Sequence, residues 1–220
     1  MKDALFDYWN TVKFDEKLAP QESHFFNQFL TIAKNSKRIL EIGVGNGRMI
    51  NLLRKNGVKS HFSAVDIVKA KLSGVDFTVA DARHLPFKDN SYDLVYSLGV
   101  IEHFKETKLA VQEHVRVLKK GGYLLITTPK LSFNTPLRYL LYLIRGNYKN
   151  GPFRVVCGNN FRLGQIKKMF NLNHVKIIKL EGIGDVFPLQ KRAKLWDKFL
   201  KVVLPMKLFG DYLYCIIQKI

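Results

Sequence analysis

ILEIGVGNGRMI, residues 39–50, joins a short apolar run to three glycines at alternate positions, Gly43, Gly45 and Gly47. The apolar run closed by glycine reads as a buried strand. NGRMINLLRKNG, residues 46–57, reads as a helix ended by Gly57. In an open parallel sheet, ligands bind at the carboxyl ends of the strands. Glycines there let the backbone turn sharply and approach a ligand closely. Two common phosphate loops do not fit. Arg48 stands where the dinucleotide fingerprint GxGxxG needs its last glycine, and no suitable glycine precedes a Lys-Ser or Lys-Thr pair. The loop suits a nucleoside-like ligand without a pyrophosphate.

The same rhythm continues outward. HFSAVDI (61–67), VDFTVADA (75–82), YDLVYSLGV (92–100) and GYLLITTP (122–129) read as strands two to five. KETKLAVQEHVRVLKKGG (105–122) reads as a helix with Leu109, Val111, Val115 and Leu118 on its buried side, stopped by Gly121 and Gly122. FRLGQIKKMFN (161–171) is a helix, and HVKIIKLEG (174–182) and DYLYCIIQKI (211–220) are strands that suit an antiparallel edge. Nearly all-apolar strands alternating with helices indicate an α/β fold, a parallel sheet covered on both faces. Residues 1–36 read as helical, with Phe25, Phe26, Phe29, Leu30 and Ile32 as an apolar stripe. Residues 129–160 and 182–208 break the rhythm and read as insertions after strand five and between strands six and seven.

Three acids complete the constellation. Asp66 ends strand two, where a carboxylate can accept both hydroxyls of a ribose. Asp81 ends strand three, where a carboxylate and the next backbone N–H can read the amino edge of an adenine. Glu41 adds negative charge beneath the loop. Three acids and no pocket lysine favour a cationic ligand over a phosphorylated one. Asp93, by contrast, reads as a turn and strand-start residue.

The ordered series ExGxGxG, an acid ending strand two, DARHLPF (81–87), DNSYDLVYSLGVIEHF (89–104) and VLKKGGYLLITTP (117–129) resembles class I S-adenosylmethionine-dependent methyltransferases. It is most similar to their small-molecule type 11 group, over about residues 37–129. The resemblance implies a Rossmann-like three-layer sandwich: a seven-stranded, mostly parallel sheet with an antiparallel last strand and helical insertions on the substrate side. It implies one domain, with residues 1–36 as a helical lid and 37–220 as the methyltransferase domain. Carried over residue by residue, Gly43, Gly45 and Gly47 would meet the methionine part and ribose of S-adenosyl-L-methionine. Asp66 would hold the ribose hydroxyls and Ile67 would stack on adenine, although Ile67 also suits plain core. Asp81 would meet the adenine amino group and Ala82 would offer a backbone donor. Ser97, Leu98 and Gly99 would line the reactive face. Tyr8 and Trp9 resemble the lid more loosely.

Methyl transfer from a sulfonium expels a neutral leaving group, so positioning and water exclusion dominate. A general base helps only an acceptor that carries a proton at neutral pH. His103 in IEHF is the candidate base, with Glu102 beside it to orient it or bind substrate; capping the loop is His103's structural alternative. No HExxH or paired HxH occurs, so no metal is expected.

Charge and composition bear on the acceptor. Residues 1–128 hold 19 basic and 14 acidic side chains, whereas 129–220 hold 17 basic and 4 acidic. The excess of 13 in the second part suits an anionic partner or a merely solvated Lys-rich face. The N-terminus lacks an apolar core and reads as no signal peptide, which points to the cytoplasm. SLGV after strand four is not the NPPY or DPPY of base amino methylation, no cysteine stands where a base C5 methyltransferase needs its nucleophile, and paired glutamates of protein-arginine methylation are missing. Basic amphipathic stretches at 134–145 and 193–208 suit a small or lipid-like acceptor, with peripheral contact to an anionic membrane. Basic residues mixed with aromatics also suit RNA. Three readings stay open: a methyltransferase for a small or lipid-like acceptor, an RNA methyltransferase, and a non-catalytic cofactor-binding protein.

Overall fold

The computed structural model describes residues 24–131, 158–170, 174–183 and 212–220, with residues 135, 136 and 140 between them. The elements in chain order are α1 (His24–Lys34), β1 (Arg38–Ile42), α2 (Arg48–Lys55), β2 (His61–Asp66), β3 (Asp76–Val79), β4 (Tyr92–Leu98), a 3-10 turn (Ile101–His103), α3 (Thr107–Val117), β5 (Leu118–Pro129), α4 (Leu163–Met169), β6 (Val175–Ile183) and β7 (Tyr212–Lys219). They form one seven-stranded sheet in the order β3-β2-β1-β4-β5-β7-β6. The pairs among β1 to β5 are parallel, and β7 runs antiparallel to both its neighbours. The antiparallel edge read in the sequence is present, with one difference: β7 inserts between β5 and β6, so the last strand is interior and β6 is the rim.

Each face of the sheet carries its own apolar layer, which makes the three-layer sandwich. On one face, Phe25, Phe29 and Ala33 of α1 and Ile50 and Leu53 of α2 pack on Leu94 and Tyr96. Phe29 meets the Tyr96 ring edge-on at 4.8 Å, and Phe25 meets Tyr214 of β7 at the same distance. On the other face, Val111 and Val115 of α3 and Ile166 and Phe170 beside α4 cover Val95, Leu124 and Ile126. The central strand β1 is buried along its last four residues, which explains why its sequence does not alternate. The edge strand β3 is exposed at both ends.

Two readings need correction. The helix of residues 105–122 stops at Val117, and LKKGG belongs to β5. The register with β4 shifts between Tyr92 and Leu94, so the glycines form an irregularity within the strand. A side chain on Gly122 would stand 2.9 Å from the Asp93 and Lys119 carbonyls. Leu109 is off the buried face, 38% exposed; Ala110, Val111, His114 and Val115 carry the packing. The insertions of 129–160 and 182–208 fall mostly outside the described residues, as does the lid expected in residues 1–36, apart from α1.

Register sets where the site forms. Ile42 of β1 lies opposite Val65 of β2 and Ser97 of β4. The next residues, Gly43, Asp66 and Leu98, therefore share one rim at the carboxyl ends of adjacent strands.

Candidate active site

A cavity of about 300 Å³ opens at that rim, of a size for a nucleoside-like ligand. Gly43, Gly45, Asp66, Ile67, Ala82, Leu98, Gly99 and His103, all expected from the sequence, line it.

The glycine loop is shaped by its backbone. Gly43 and Gly47 have φ of +76° and +75°, which L side chains rarely adopt. A side chain on Gly43 would collide with Val100 across the cavity wall, and one on Gly47 with Leu72. Gly47 thus caps α2 and braces the loop from behind. The Gly43 N–H donates to the Val65 carbonyl at 2.8 Å, and the Gly45 N–H to Oδ2 of Asp66 at 2.9 Å. Oδ1 of Asp66 accepts the Val68 N–H at 3.2 Å. Each Asp66 oxygen keeps capacity for a further donor, as holding a ribose requires.

Glu41 lies under the loop but outside the lining. It is buried, and Tyr96 donates a hydrogen bond to its Oε2 at 2.8 Å. Burial pushes its carboxyl up to about 8 despite that bond, with the nearby Asp66 charge adding to the shift. Burial therefore works against the negative charge expected beneath the loop. Lys69, missed from the sequence, lines the cavity, so the expected lysine-free pocket is corrected. The signal was its place three residues beyond Asp66.

Asp81 stands beside the cavity, flanked by the lining residues Ala80 and Ala82. Its carboxylate is already engaged by Arg83: Nε lies 3.0 Å from Oδ1, Nη2 lies 2.7 Å from Oδ2, and the Arg83 N–H donates to Oδ1 at 2.9 Å. Arg83 also pairs with Glu106 at 2.6 Å and sits 5.2 Å above the Phe104 ring. Phe104 lines the cavity. Arg83 thus ties the loop after β3 to the loop after β4, a connection that no motif spacing revealed.

Ser97 is fully buried, and its hydroxyl has no hydrogen-bond partner among the described residues. Glu102 is buried just behind the lining and is not itself a lining residue. Its Oε1 faces Gly99, its Oε2 lies 3.4 Å from the Thr128 hydroxyl, and burial pushes the carboxyl up to about 8. His103 lines the cavity beside Phe104. Tyr8 and Trp9 lie outside the described residues. Among the described residues, no cluster of three His, Cys, Asp or Glu side chains could hold a metal ion, and no helix is long and apolar enough to cross a membrane.

Comparison with known proteins agrees with this geometry. Residues 40–126 match the family described as methyltransferase domain. Over those residues the chain matches the type 11 group of class I S-adenosylmethionine-dependent methyltransferases. One curated relative is phthiotriol/phenolphthiotriol dimycocerosates methyltransferase 1 of Mycobacterium ulcerans, 32% identical over 102 residues, which are 42% of this chain and 38% of that protein. Another is probable tRNA methyltransferase 9B of mouse, 31% identical over 123 residues, 54% of this chain and 28% of that protein. The chain thus spans well under half the length of either. A solved S-adenosylmethionine-dependent methyltransferase from Mesorhizobium loti shares the fold at TM-score 0.64 and 16% identity, covering 93% of this chain and all of that one.

Proposed function

We propose that this chain transfers a methyl group from S-adenosylmethionine to a small-molecule or lipid-like acceptor. The observation that carries the reading is the single rim on which the glycine loop, Asp66 and His103 converge around one nucleoside-sized cavity. The residues present fit the methyl donor. Gly43 and Gly45 present bare backbone to the cavity, a side chain on Gly43 would press on Val100, and Asp66 offers acceptors for the ribose. When bound, the donor supplies an electrophilic methyl group on a sulfonium whose departure leaves a neutral thioether.

The protein's own part is placement. Asp66 holds the nucleoside and, through the Gly45 N–H, the loop that faces it. Leu98, Val100 and Phe104 wall the cavity and exclude water, which would otherwise compete as acceptor. His103, in the cavity wall, takes a proton from a phenol or hydroxyl acceptor; an acceptor with a free lone pair needs positioning alone. Asp81 and Arg83 form the adenine end. Ala82 offers its backbone N–H there.

The lipid-like acceptor is supported by the M. ulcerans relative's name, by the apolar walls of the cavity and by the basic amphipathic stretches read in the sequence at 134–145 and 193–208. A second reading, RNA as acceptor, is favoured by the 13 excess positive charges of residues 129–220 and by the mouse relative's name. Radiolabelled methyl transfer into total lipid and into transfer RNA, at low and high salt, separates the two. The first reading predicts counts in the organic phase. Counts confined to RNA, with binding that weakens steeply as salt rises, would reverse the choice.

A further inference from the structure

We propose that Asn159 is a positioning residue that fixes His103 in the cavity wall. The inference rests on the methyl-transfer reading only for what His103 does there. His103 ends a single 3-10 turn with no side-chain cap, and the turn's own bonds are few: the His103 N–H to the Val100 carbonyl at 3.1 Å and the Phe104 N–H to the Ile101 carbonyl at 3.5 Å. So short a turn is held by its surroundings.

Thr107 and Asn159 contribute to that hold. Thr107, in the first turn of α3, donates its hydroxyl to the Phe104 carbonyl at 2.9 Å and lies 3.3 Å from the Ile101 carbonyl. Asn159 grips both sides of His103. Its backbone N–H donates to the Glu102 carbonyl at 2.9 Å, and its Nδ2 donates to the Phe104 carbonyl at 3.3 Å. One asparagine thereby fixes the carbonyl before and the carbonyl after the histidine. Asn159 is not among the cavity-lining residues, so it acts through His103.

The grip is seated firmly. Gly158 has φ +65°, and a side chain there would stand 2.8 Å from Cβ of Glu102. The bare backbone at 158 lets the segment rest directly on Glu102. Two residues beyond Asn159, the Phe161 N–H donates to the Pro129 carbonyl and the Leu131 N–H to the Phe161 carbonyl, both at 3.0 Å. Phe161 itself is buried. The chain that leaves β5 therefore returns beside it at His103, and Asn159 is the link between that return and the cavity wall.

The test uses the full chain and needs no acceptor. Imidazole proton–carbon correlation spectra are recorded, and the His103 signal among the six histidines is assigned with His103→Gln. Asn159→Ala and Asn159→Asp both remove the side-chain donor and keep the backbone bond. We expect the His103 signal to shift or broaden in both while the distant His61 and His174 signals stay in place. Asn159→Gln, which retains the amide donor, should move it less. With a turnover assay in hand, Asn159→Ala should lower kcat about tenfold with little change in KM for the methyl donor, the signature of a misplaced group. An unmoved His103 signal in folded Asn159→Ala, or an equal displacement of all histidines, would overturn the proposal. If wild-type protein fails to bind S-adenosylhomocysteine, the methyl-transfer reading falls, and the spectra still decide the role of Asn159.

Discussion

Oδ2 of Asp66 accepts the Gly45 N–H at 2.9 Å, so the acid at the end of β2 also sets the shape of the loop after β1. Removing it acts twice. Asp66→Ala loses both the ribose acceptors and the loop contact, while Asp66→Asn keeps an acceptor for Gly45 and loses the charge. Charge-assisted bonds contribute about 1.5–3 kcal/mol each, so Asp66→Ala should weaken S-adenosylhomocysteine binding by about 100-fold. Asn at this position should cost less. Calorimetric titration of both variants checks the order.

Gly43→Ala places a methyl group against Val100 in a backbone region that costs an L residue about 1–2 kcal/mol. Nucleoside affinity should fall at least tenfold. The double variant with Val100→Ala removes the collision and leaves the strained φ, so it should recover only part of the loss. Full recovery would mean that the backbone conformation does not matter.

Arg83 connects Asp81, Glu106 and Phe104, which belong to two different loops. Arg83→Met should loosen the adenine end, raising KM for the methyl donor several-fold and leaving kcat nearly unchanged, as expected for a group that acts on binding alone. A drop in kcat with constant KM would instead place Arg83 near the reacting atoms.

Glu41 and Glu102 are both buried, and burial raises each carboxyl from 4.5 to about 8. Between those values the folded chain holds protons that the unfolded chain has released. These two groups therefore make stability fall as pH rises from about 4.5 to 8, and their stabilising protonation is complete only below the lower value. Glu102→Gln should flatten that fall, measured as the urea midpoint across the pH range. An unchanged slope would show that Glu102 is ionised in the fold.

Asp93 provides the contrasting case. Its Oδ2 accepts the Lys37 and Arg38 N–H groups at 3.1 and 2.7 Å, and its Oδ1 meets Lys119 Nζ at 2.7 Å. It stitches the starts of β1, β4 and β5 together at the end of the sheet opposite the cavity. Asp93→Ala should cost about 1–3 kcal/mol of stability and leave nucleoside affinity intact, a comparison of denaturation midpoint with binding.

The parallel core was legible because β1, β2 and β4 are buried on both faces and so read as mostly apolar runs without strict alternation. The cavity rim was legible because glycines and strand-end acids sit at fixed offsets from those runs. Long-range partnerships were not legible. Nothing local shows that Glu41 is buried under the Tyr96 hydroxyl, because that depends on what β4 brings alongside, nor that Arg83 reaches Glu106 across to the next loop. The end of α3 was misplaced for a related reason. Gly121 and Gly122 read as a helix stop, yet β4 pairs with the residues before them and draws Leu118 into the sheet. Asn159 left no trace in the sequence, since its two partners lie 55 or more positions away.

The central claim is that a sulfonium-bearing nucleoside seats on the rim formed by Gly43, Asp66 and Leu98. Titration of the wild-type chain and Asp66→Ala with S-adenosylhomocysteine in a calorimeter tests it directly. The account predicts saturable one-site heat for the wild type that is nearly abolished in the variant. No heat from the wild type, or indistinguishable isotherms from the two proteins, would contradict it.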